Sequence, residues 1–530
     1  MDPFLHGGPA VRASFSFLTS ISMHSDARTL ADGSKIEGDL CIIGAGAAGI
    51  SIAKEFVDTS YDVILLEAGG FERDPDVQAL YKGTNAGLPY HPPSTMRLRY
   101  FGGTTGLWNG WCSRLDPIDF EERDWVPMSG WPFSLKELEP YYRRAHPVLD
   151  LGEYNYNVDY WSRQKDGFSP FPFDESNVRT KVFKWSAPTR FGEKYRTEIT
   201  QAENLTLWTH ANVTEIQASS NGSEVTGLRV QCLNGKEHRV RARKYVLACG
   251  GLENPRLLLN SNREYSDGLG NENGLVGRYF MEHPHVPSAN LVLTEPPSAG
   301  YRRSQDAGEP FYLLSLSPRQ QRRQHLLNYS AALRRKIGSD FDRSLPNWMY
   351  KIPNVRGLEN RVKYYFSSES DDAADDDVEL GLSTRIEQRP NPKSRVSLSS
   401  QTDELGQRRI ELNWDLTEDE KRTIQIANET IGKELGRLGI GRLQMRNWLR
   451  TDSDTWPDGL HGGHHHMGTT RMSESPRRGV VDANCKVHGI ENLHVAGSSV
   501  FPTSGAANPT LTIVALALRL SDHLKEELKS

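Results

Sequence analysis

A glycine-rich turn between two apolar segments is the feature that most constrains how this chain folds. Residues 39–43 (DLCII) form a short apolar run typical of a buried strand, and GAGAAG and a helical pattern, ISIAKEF, follow at once. A second apolar run, residues 62–66 (DVILL), ends at Glu67. A strand, a glycine turn, a helix and a strand within about 30 residues predict a βαβ unit. The chain is therefore expected to contain an α/β domain with a parallel sheet.

Each glycine of the pattern Gly44-x-Gly46-x-x-Gly49 has a physical role in such a turn. Gly44 permits the tight bend, Gly46 lets a pyrophosphate approach the backbone, and Gly49 lets the helix pack closely against the strand. The helix N-terminus offers free N–H groups and partial positive charge to phosphates, and Glu67 has the spacing of an acid that binds ribose hydroxyls. These features predict a dinucleotide site. Glu67 does not distinguish FAD from NAD, and such a turn can also merely pack a helix on a sheet.

Composition excludes several classes of protein. The chain has 530 residues and a formal net charge of −5, which allow more than one core and provide no basic surface for nucleic acid. Apolar runs are all shorter than the roughly 18 residues of a membrane span, so none is expected. Five scattered cysteines without CxxC spacing are typical of reduced thiols in a cytoplasmic protein. Residues 1–34 lack the features of a secretion signal and are interpreted as an N-terminal arm.

Hydrophobic and polar patterns divide the rest of the chain. Residues 203–249 predict a β meander with a hairpin at Asn234-Gly235. Capping boxes, Ser134 with Glu137 and Thr417 with Glu420, begin predicted helices over 134–149 and 415–438. Charged runs at 319–324 and 368–377 are interpreted as solvated loops, and 378–386 as a strand. We expect a cofactor domain over 35–289, a second domain over 290–454, and a return to the cofactor domain over 455–530.

The residues after Asn508 predict a helix whose N-terminus faces the preceding loop. Apolar residues recur at the spacing of one helix face, at Leu511, Val514, Ala515 and Leu518. Pro509 suits the first helical position, so Asn508 is expected at the N-cap. The Asn508 amide can cap its own helix or bind a ligand, and these two roles compete.

Three successive histidines, His464, His465 and His466, precede this helix. Neutral imidazole can accept the proton of a hydroxyl group as hydride leaves the carbon. An amide such as that of Asn508 can donate to the substrate oxygen as negative charge develops there. Adjacent histidines rarely converge on one ion, and the nearby acids and cysteines lack a familiar metal spacing, so no metal is expected. The spacing alone is equally compatible with surface or packed histidines.

Longer blocks of sequence carry a resemblance to a known family. With GAGAAG and Glu67, their order is similar to that of the glucose-methanol-choline (GMC) oxidoreductase family, from about residue 38 to the C-terminus. The C-terminal block most resembles the pyranose 2-oxidase and glycoside 3-oxidase or dehydrogenase branch, and the middle domain matches least. The blocks are FGGTTGLWNGWC (101–112), GGLENPRLLLNS (250–261), LVGRYFMEHP (275–284), PNPKSRVSLS (390–399), HHMGTTRM (465–472), GVVDANCKVHGIENLHVAGSSVFPT (479–503) and ANPTLT (507–512).

The resemblance implies a fold and a set of site residues. The implied fold is α/β (α+β overall), with a doubly wound FAD-binding Rossmann-like domain and a smaller substrate domain built on a mainly antiparallel sheet backed by helices. The first histidine of H-x-M-G, the family's catalytic base, is His465, and its His-or-Asn partner is Asn508. The implied FAD contacts are Gly44, Gly46, Ala47, Ala48, Gly49, Glu67, Ala68, Gly102, Gly103, Thr104, Thr105, Asn109, Val213, Gly497, Ser498, Asn508 and Thr510.

Two positions depart from the family pattern. Leu107 stands where pyranose 2-oxidase has the histidine that joins FAD covalently, so dissociable FAD is expected. Trp108 stands where the family signature has Asn or His. Cys112, the nearest other nucleophile, is interpreted as a packed residue.

The resemblance implies that a secondary alcohol of a sugar or glycoside is oxidised to a ketone by hydride transfer to flavin N5. Oxygen, a quinone or a redox partner would then reoxidise the flavin. Residues 154–161 (YNYNVDYW), or Trp348 and Tyr350, would give a sugar an apolar face, although aromatic residues are more often core. The alternatives are a non-sugar alcohol as substrate, a flavin-containing lyase, a nicotinamide dehydrogenase and a non-enzymatic nucleotide-binding module.

Overall fold

Two eight-stranded sheets and one three-stranded sheet form the framework of the computed structural model. The residues it describes are 23–302, 306–335, 378–451 and 455–529. Trp348, Tyr350 and the acidic run 368–377 lie outside the described residues, as does most of the predicted arm.

The elements follow the chain in this order. The strands are β1 (His24–Asp26), β2 (Lys35–Ile43), β3 (Val63–Leu66), β4 (Gly83–Asn85), β5 (Trp111–Cys112), β6 (Val178–Trp185), β7 (Leu205–Thr209), β8 (Asn212–Ala218), β9 (Val225–Gln231), β10 (Glu237–Leu247), β11 (Pro284–Leu293), β12 (Pro310–Leu316), β13 (Tyr329–Arg335), β14 (Val378–Ile386), β15 (Arg395–Thr402), β16 (Arg408–Asn413), β17 (Gly441–Met445), β18 (His461–Gly462) and β19 (Leu493–Val495). The α-helices are α1 (Ala47–Glu55), α2 (Pro75–Ala79), α3 (Pro117–Phe120), α4 (Leu135–Val148), α5 (Val158–Gln164), α6 (Phe191–Lys194), α7 (Arg196–Gln201), α8 (Gly250–Asn260), α9 (Pro318–Gln324), α10 (Glu418–Leu438) and α11 (Thr510–Lys529).

The first sheet contains the predicted βαβ unit, β2-α1-β3. Its strand order is β1-β7-β3-β2-β10-β9-β8, and β19 pairs with β10. Strands β1, β7, β3, β2, β10 and β19 pair in parallel. Because the carboxyl ends of parallel strands meet at one edge of a sheet, the segments that follow β2, β3, β10 and β19 are brought together there.

Residues 203–249 form strands as predicted, but not one continuous meander. Strands β8, β9 and β10 are antiparallel neighbours, and the Asn234-Gly235 turn joins the last two, with Gly235 at a φ of +88°. Strand β7 instead pairs in parallel with β3. The prediction was wrong for β7 because its partner lies far earlier in the chain, where no local pattern indicates it.

The second sheet is the implied antiparallel sheet backed by a helix. Its strand order is β17-β11-β14-β13-β12-β6-β5, with β18 paired to β11, and the described pairs are antiparallel. Helix α10 contributes Ala427, Ile431 and Leu435 to a buried core that also contains Leu291 and Leu314 of the sheet. Apolar burial of this kind, at about 25 cal/mol per Å², holds the helix on the sheet.

Strands β5 and β6 and most of β11 precede residue 290 but belong to the second sheet. The segment 35–289 therefore contributes to both large sheets, and a boundary at residue 290 does not separate them. The third sheet joins β4 to β15 and β16 and also combines distant segments.

The predicted helix signals have mixed outcomes. Both capping boxes form: the Ser134 N–H donates to Glu137 at 2.9 Å and the Thr417 N–H to Glu420 at 2.8 Å. The basic run 319–324 was wrongly interpreted as a loop, because Ser317 caps it as helix α9. In the described parts of the chain, the helices are too short or too polar to cross a bilayer.

Candidate active site

The glycine turn joins β2 to α1 with the predicted close packing. Gly44 has a φ of +103°, and a Cβ there would lie 2.8 Å from the Ala248 carbonyl oxygen. A Cβ on Gly49 would lie 1.9 Å from the Gly44 oxygen. These two positions therefore exclude any larger side chain.

Gly46, between them, faces open space. A Cβ on Gly46 would have no heavy atom within 4 Å. Helix α1 begins at Ala47 and Ala48 with no side-chain cap and no acidic residue in its first turn. The N–H groups and positive end of the helix thus face room for an anion, which fits a pyrophosphate of FAD.

Glu67 directly follows the neighbouring strand β3 and is itself followed by Ala68. Its two carboxylate oxygens accept the Ala45 N–H at 2.8 Å and the Gly69 N–H at 2.9 Å. Burial raises the pKa of Glu67, while these backbone hydrogen bonds lower it. Each oxygen retains a second lone pair, so Glu67 can accept from ribose hydroxyls while it holds the turn.

The loop from Gly102 to Thr105 lies directly against the glycine turn. The Gly102 N–H donates to the Ala45 carbonyl at 2.8 Å, and a Cβ on Gly103 would lie 3.1 Å from the Gly46 Cα. The Thr105 hydroxyl donates to the Gly102 carbonyl at 2.6 Å. The structure thus brings two predicted cofactor segments together at the edge of the first sheet.

The remainder of this loop is partly exposed. The side chains of Thr104 and Asn109 are exposed, and Leu107 is 38% exposed, an unusual position for a leucine. The Trp108 indole donates to the Thr189 carbonyl at 2.9 Å. Cys112 is fully buried, and burial raises the pKa of its thiol, as expected of a packed residue.

Other predicted cofactor residues lie beside the ends of these strands. Ala211, two residues before Val213, donates its N–H to the Glu67 carbonyl at 2.9 Å. Gly497 and Ser498 follow β19; a Cβ on Gly497 would meet open space, and the Ser498 hydroxyl donates to the His466 carbonyl at 2.7 Å. Residues that were predicted from separate segments to bind the cofactor therefore lie close together. Their contacts with FAD stay predictions.

His465 and Asn508, the predicted catalytic pair, meet side chain to side chain. Asn508 Nδ2 lies 3.2 Å from His465 Nε2. Asn508 Oδ1 is buried without a hydrogen-bond partner among the described residues, so the amide does not cap α11, which begins at Thr510. Of the two roles considered for the Asn508 side chain, helix capping is not observed, and the amide faces His465 instead.

The three successive histidines face different partners. His464 lies edge-on to His91, with ring centroids 5.2 Å apart. His466 Nε2 lies 3.1 Å from the Tyr90 hydroxyl, whereas His465 faces Asn508. They do not converge on one point. Among the described residues, His494, His523 and Glu527 have ligand atoms close enough together to hold a metal ion, and none of the three successive histidines belongs to this group. The Lys244 ammonium lies 2.7 Å from the Glu527 carboxylate.

His283 is a site residue that the sequence reasoning missed. Its Nδ1 lies 2.9 Å from His465 Nδ1. On its other side, Nε2 lies 2.9 Å from the Gly505 carbonyl oxygen and 3.2 Å from that of Ser504. The sequence did contain a signal for His283, because the block LVGRYFMEHP (275–284) is part of the family resemblance. The resemblance gave no role to the histidine of that block.

Glu282, next to His283, holds the backbone of the site. Both of its oxygens lie 3.0 Å from the His465 N–H, and it accepts the His283 N–H at 3.0 Å and the Tyr90 hydroxyl. Burial raises the pKa of Glu282 to about 7, whereas these hydrogen bonds lower it. One buried carboxyl group thus holds the backbone at both His283 and His465.

The electrostatics keep the His465 imidazole neutral. Burial lowers its pKa well below the usual range, and the nearby His283, His464 and Arg385 add to this effect. At neutral pH its ring therefore carries one proton and one lone pair, which is the form that accepts a proton from an alcohol.

The predicted aromatic segment 154–161 packs against the protein interior. Trp161 is 8% exposed and belongs to the core beneath the second sheet. Tyr154 and Tyr156 pack edge-on against His146, with ring centroids 4.9 and 5.7 Å from it. Trp161 is a core residue, in line with the alternative interpretation, whereas Tyr154 and Tyr156 are partly buried against the first core. The apolar face for a sugar stays a prediction.

Curated proteins of similar sequence span most of this chain. Paromamine 6′-oxidase of Streptomyces fradiae is 27% identical over 93% of this chain and 92% of its own length. 2-Methyl-1,2-propanediol dehydrogenase of Mycolicibacterium austroafricanum is 26% identical over 92% of this chain and 95% of its own. Pyranose 2-oxidase of Tricholoma matsutake is 25% identical over 61% of this chain and 54% of its own.

Solved structures and family profiles agree with these relatives. A crystal structure of formate oxidase covers 94% of this chain and 100% of its own with a TM-score of 0.56 and 17% identity, which is a likeness of fold. Two profiles described as GMC oxidoreductase match residues 77–285 and 390–517, more than half of the chain. The chain therefore belongs to the GMC oxidoreductase family, as an FAD-dependent oxidoreductase that acts on alcohols.

Proposed function

We propose that this enzyme oxidises a secondary alcohol of a sugar or glycoside to a ketone, with His465 as the base and Asn508 as the group that orients the substrate oxygen. The observation that carries the proposal is the contact of 3.2 Å between Asn508 Nδ2 and His465 Nε2. In this structure the Asn508 amide donates to the lone pair of the neutral imidazole. A substrate hydroxyl group that inserts between them can replace this hydrogen bond, accepting from the amide and donating to the imidazole.

The chemistry at that point follows from the two side chains. The alcohol oxygen accepts a hydrogen bond from Asn508 Nδ2, and its proton passes to the lone pair of His465 Nε2. As the proton leaves, negative charge develops on the oxygen, and the amide donor stabilises it. FAD, when bound, supplies the acceptor for the hydride that leaves the alcohol carbon.

The fit to FAD rests on the glycine turn and its surroundings. The open space at Gly46, the uncapped start of α1 and the paired oxygens of Glu67 suit a pyrophosphate and a ribose. We propose that the predicted cofactor residues contact FAD and that binding is non-covalent, because Leu107 replaces the linking histidine. The pyrophosphate would lie near Gly46, the ribose near Glu67 and the flavin near Gly103.

The sugar substrate is supported by two relatives. They are named as oxidases of paromamine, an aminoglycoside, and of a pyranose. The 2-methyl-1,2-propanediol dehydrogenase, with similar coverage, favours a second candidate, a small non-sugar diol. Oxygen, a quinone or a redox protein is the proposed electron acceptor. A cytoplasmic location is proposed from the five cysteines, none of which is in a disulfide within the described structure.

The test is a panel of alcohols mixed anaerobically with the purified yellow enzyme while flavin absorbance is followed. The panel contains glucose, a methyl glucoside, an aminoglycoside and 2-methyl-1,2-propanediol. Bleaching by a sugar or glycoside supports the proposal. Bleaching by the diol alone supports the second candidate, and no bleaching by any alcohol would reject both.

A further inference from the structure

His283 is held in one orientation by two backbone carbonyl groups. It lies just before β11, its side chain is fully buried, and its Nε2 lies 2.9 Å from the Gly505 oxygen and 3.2 Å from the Ser504 oxygen. A carbonyl oxygen only accepts hydrogen bonds, so Nε2 must carry a hydrogen.

The position of that hydrogen determines what the other ring nitrogen does. Burial lowers the pKa of His283 to about 4, so near pH 7 the ring has a single proton, and that proton is on Nε2. Nδ1 of His283 therefore presents a lone pair. Because His465 Nδ1 lies 2.9 Å from it, His465 Nδ1 must be the donor of this hydrogen bond.

The tautomer of His465 follows directly. A neutral imidazole with its proton on Nδ1 has its lone pair on Nε2, which is the nitrogen that faces the Asn508 amide at 3.2 Å. The hydrogen bonds therefore run in one direction, from Asn508 through His465 and His283 to the carbonyl groups of residues 504 and 505. These carbonyl groups belong to the segment that leads into Asn508. The first donor and the last acceptors of this series of hydrogen bonds therefore lie in the same segment, residues 504–508.

We propose that His283 is a positioning residue that holds the proton of His465 on Nδ1 and thereby presents Nε2 as the base. The inference rests on the proposed function, in which His465 accepts the substrate proton. In the opposite tautomer of His465, two lone pairs would face each other across 2.9 Å, and an N–H would face the Asn508 amide donor. Both contacts would then be repulsive, so the arrangement selects one tautomer.

His283 has a second effect during turnover. Once His465 Nε2 has taken the proton, both nitrogens of His465 carry hydrogen and the ring is a cation. The lone pair of His283 Nδ1 still accepts from Nδ1 and stabilises that cation. His283 itself neither gains nor loses a proton.

Two variants separate this role from simple packing. In His283→Asn, the side-chain oxygen takes the place of Nδ1 and still accepts from His465, whereas His283→Leu removes the acceptor at similar volume. Both changes remove or weaken the hydrogen bond to the carbonyl groups of residues 504 and 505, so they form a matched pair. We expect His283→Leu to slow flavin reduction on the order of 10²-fold and His283→Asn to remain within about tenfold of the wild type. KM should change less than the rate, because neither variant alters the groups proposed to face the substrate. Equal losses in the two variants, or no loss in either, would overturn the proposal.

The tautomer is measured directly by ¹⁵N NMR of the resting holoenzyme labelled at histidine. The His465 signals are assigned by their absence in His465→Asn. The expected result is a protonated Nδ1 and an unprotonated Nε2 in the wild type, and a mixture of tautomers in His283→Leu. The reverse tautomer in the wild type would overturn the proposal even if every variant folds poorly. This measurement needs no substrate, so a failure of the proposed function, seen as no reduction by any alcohol, is distinguished from a failure of this inference.

Discussion

Asn508 and His465, 43 residues apart in sequence, are joined by a hydrogen bond of 3.2 Å between their side chains. The loop that carries the histidine and the start of α11 are thereby fixed to each other. The amide is directed at the imidazole instead of capping its own helix. This relationship makes the pair a unit that one hydroxyl group can engage.

Asn508→Leu removes the donor to the substrate oxygen and keeps the number and branching of the side-chain heavy atoms. We expect kcat/KM for the best alcohol to fall by roughly 10²- to 10³-fold, as is typical when one donor to a developing negative charge is lost. Steady-state kinetics check this, together with the FAD content and the melting temperature, which should stay near the wild type. A variant with unchanged kcat/KM would remove Asn508 from the proposed chemistry.

Gly46→Ala tests the position predicted for the pyrophosphate. Gly46 has a φ of −87°, which any residue adopts, and its Cβ would meet no protein atom, so the protein should fold. The methyl group would occupy the space that the phosphate needs, and the Kd for FAD should rise at least tenfold, about 1.4 kcal/mol. Titration of the apoprotein with FAD measures this.

Gly436→Ala is the matched control for that substitution. Gly436 is an exposed residue in α10, where a Cβ would lie no closer than 3.9 Å to other atoms. Alanine there should leave FAD binding unchanged and raise stability slightly, by up to about 1 kcal/mol. Equal FAD affinity in the two variants would contradict the proposed pyrophosphate position.

The pH dependence follows from the lowered pKa of His465. Only the unprotonated ring can act as a base, and burial lowers the pKa, so the active form persists to lower pH than a free imidazole would allow. We expect kcat/KM to be constant near neutral pH and to fall only in more acidic solution, with the midpoint of the acid limb below the usual imidazole pKa of about 6.5. Measurement of kcat/KM between about pH 4 and 9 checks this, and an acid limb centred above the usual imidazole range would contradict it.

Arg123→Met tests how much a buried ion pair stabilises the fold where the loop after α3 meets the end of β14. Arg123 and Glu387 form a fully buried pair with two hydrogen bonds, of 2.8 and 2.6 Å. Removing the guanidinium leaves a buried carboxylate without its charge partner, and we expect a loss of about 3–5 kcal/mol in the free energy of unfolding. Denaturant unfolding of the holoenzyme measures it.

Arg143→Met is the control, because Arg143 pairs with Glu139 on an exposed face of α4 at 3.2 Å. Exposed pairs of this spacing contribute about 0.3–0.5 kcal/mol. Comparable losses of unfolding free energy in the two variants would show that the buried ion pair stabilises the fold no more than the exposed pair does.

Local signals in the sequence predict local structure well. The βαβ unit, both capping boxes, the hairpin at Gly235 and the buried face of α11 each depend on residues close together in the chain. The prediction was wrong for strand β7, because its parallel partner β3 is distant in the sequence. It was also wrong for helix α9, because a run of charged residues was interpreted as a loop although Ser317 caps it as a helix. The division at residue 290 did not anticipate that β5 and β6 pair into the second sheet.

The candidate site was predicted in part for the same reason. His465 and Asn508 were found because the resemblance assigns them roles, and the structure brings them into contact. His283, Glu282 and Tyr90 were missed because their roles arise only when segments far apart in the sequence, around residues 90, 283 and 465, come together in space. A tautomer cannot be read from a sequence, since it depends on which groups face each nitrogen.

Anaerobic stopped-flow measurement of flavin bleaching shows whether His465 is the base for alcohol oxidation. Wild type and His465→Ala are compared with the best alcohol, with His464→Ala as the neighbouring control, because His464 faces His91 instead. We expect flavin bleaching in His465→Ala to be slower by about 10²- to 10⁴-fold at unchanged FAD content, and near-normal bleaching in His464→Ala. Bleaching of His465→Ala at the wild-type rate would contradict this role of His465.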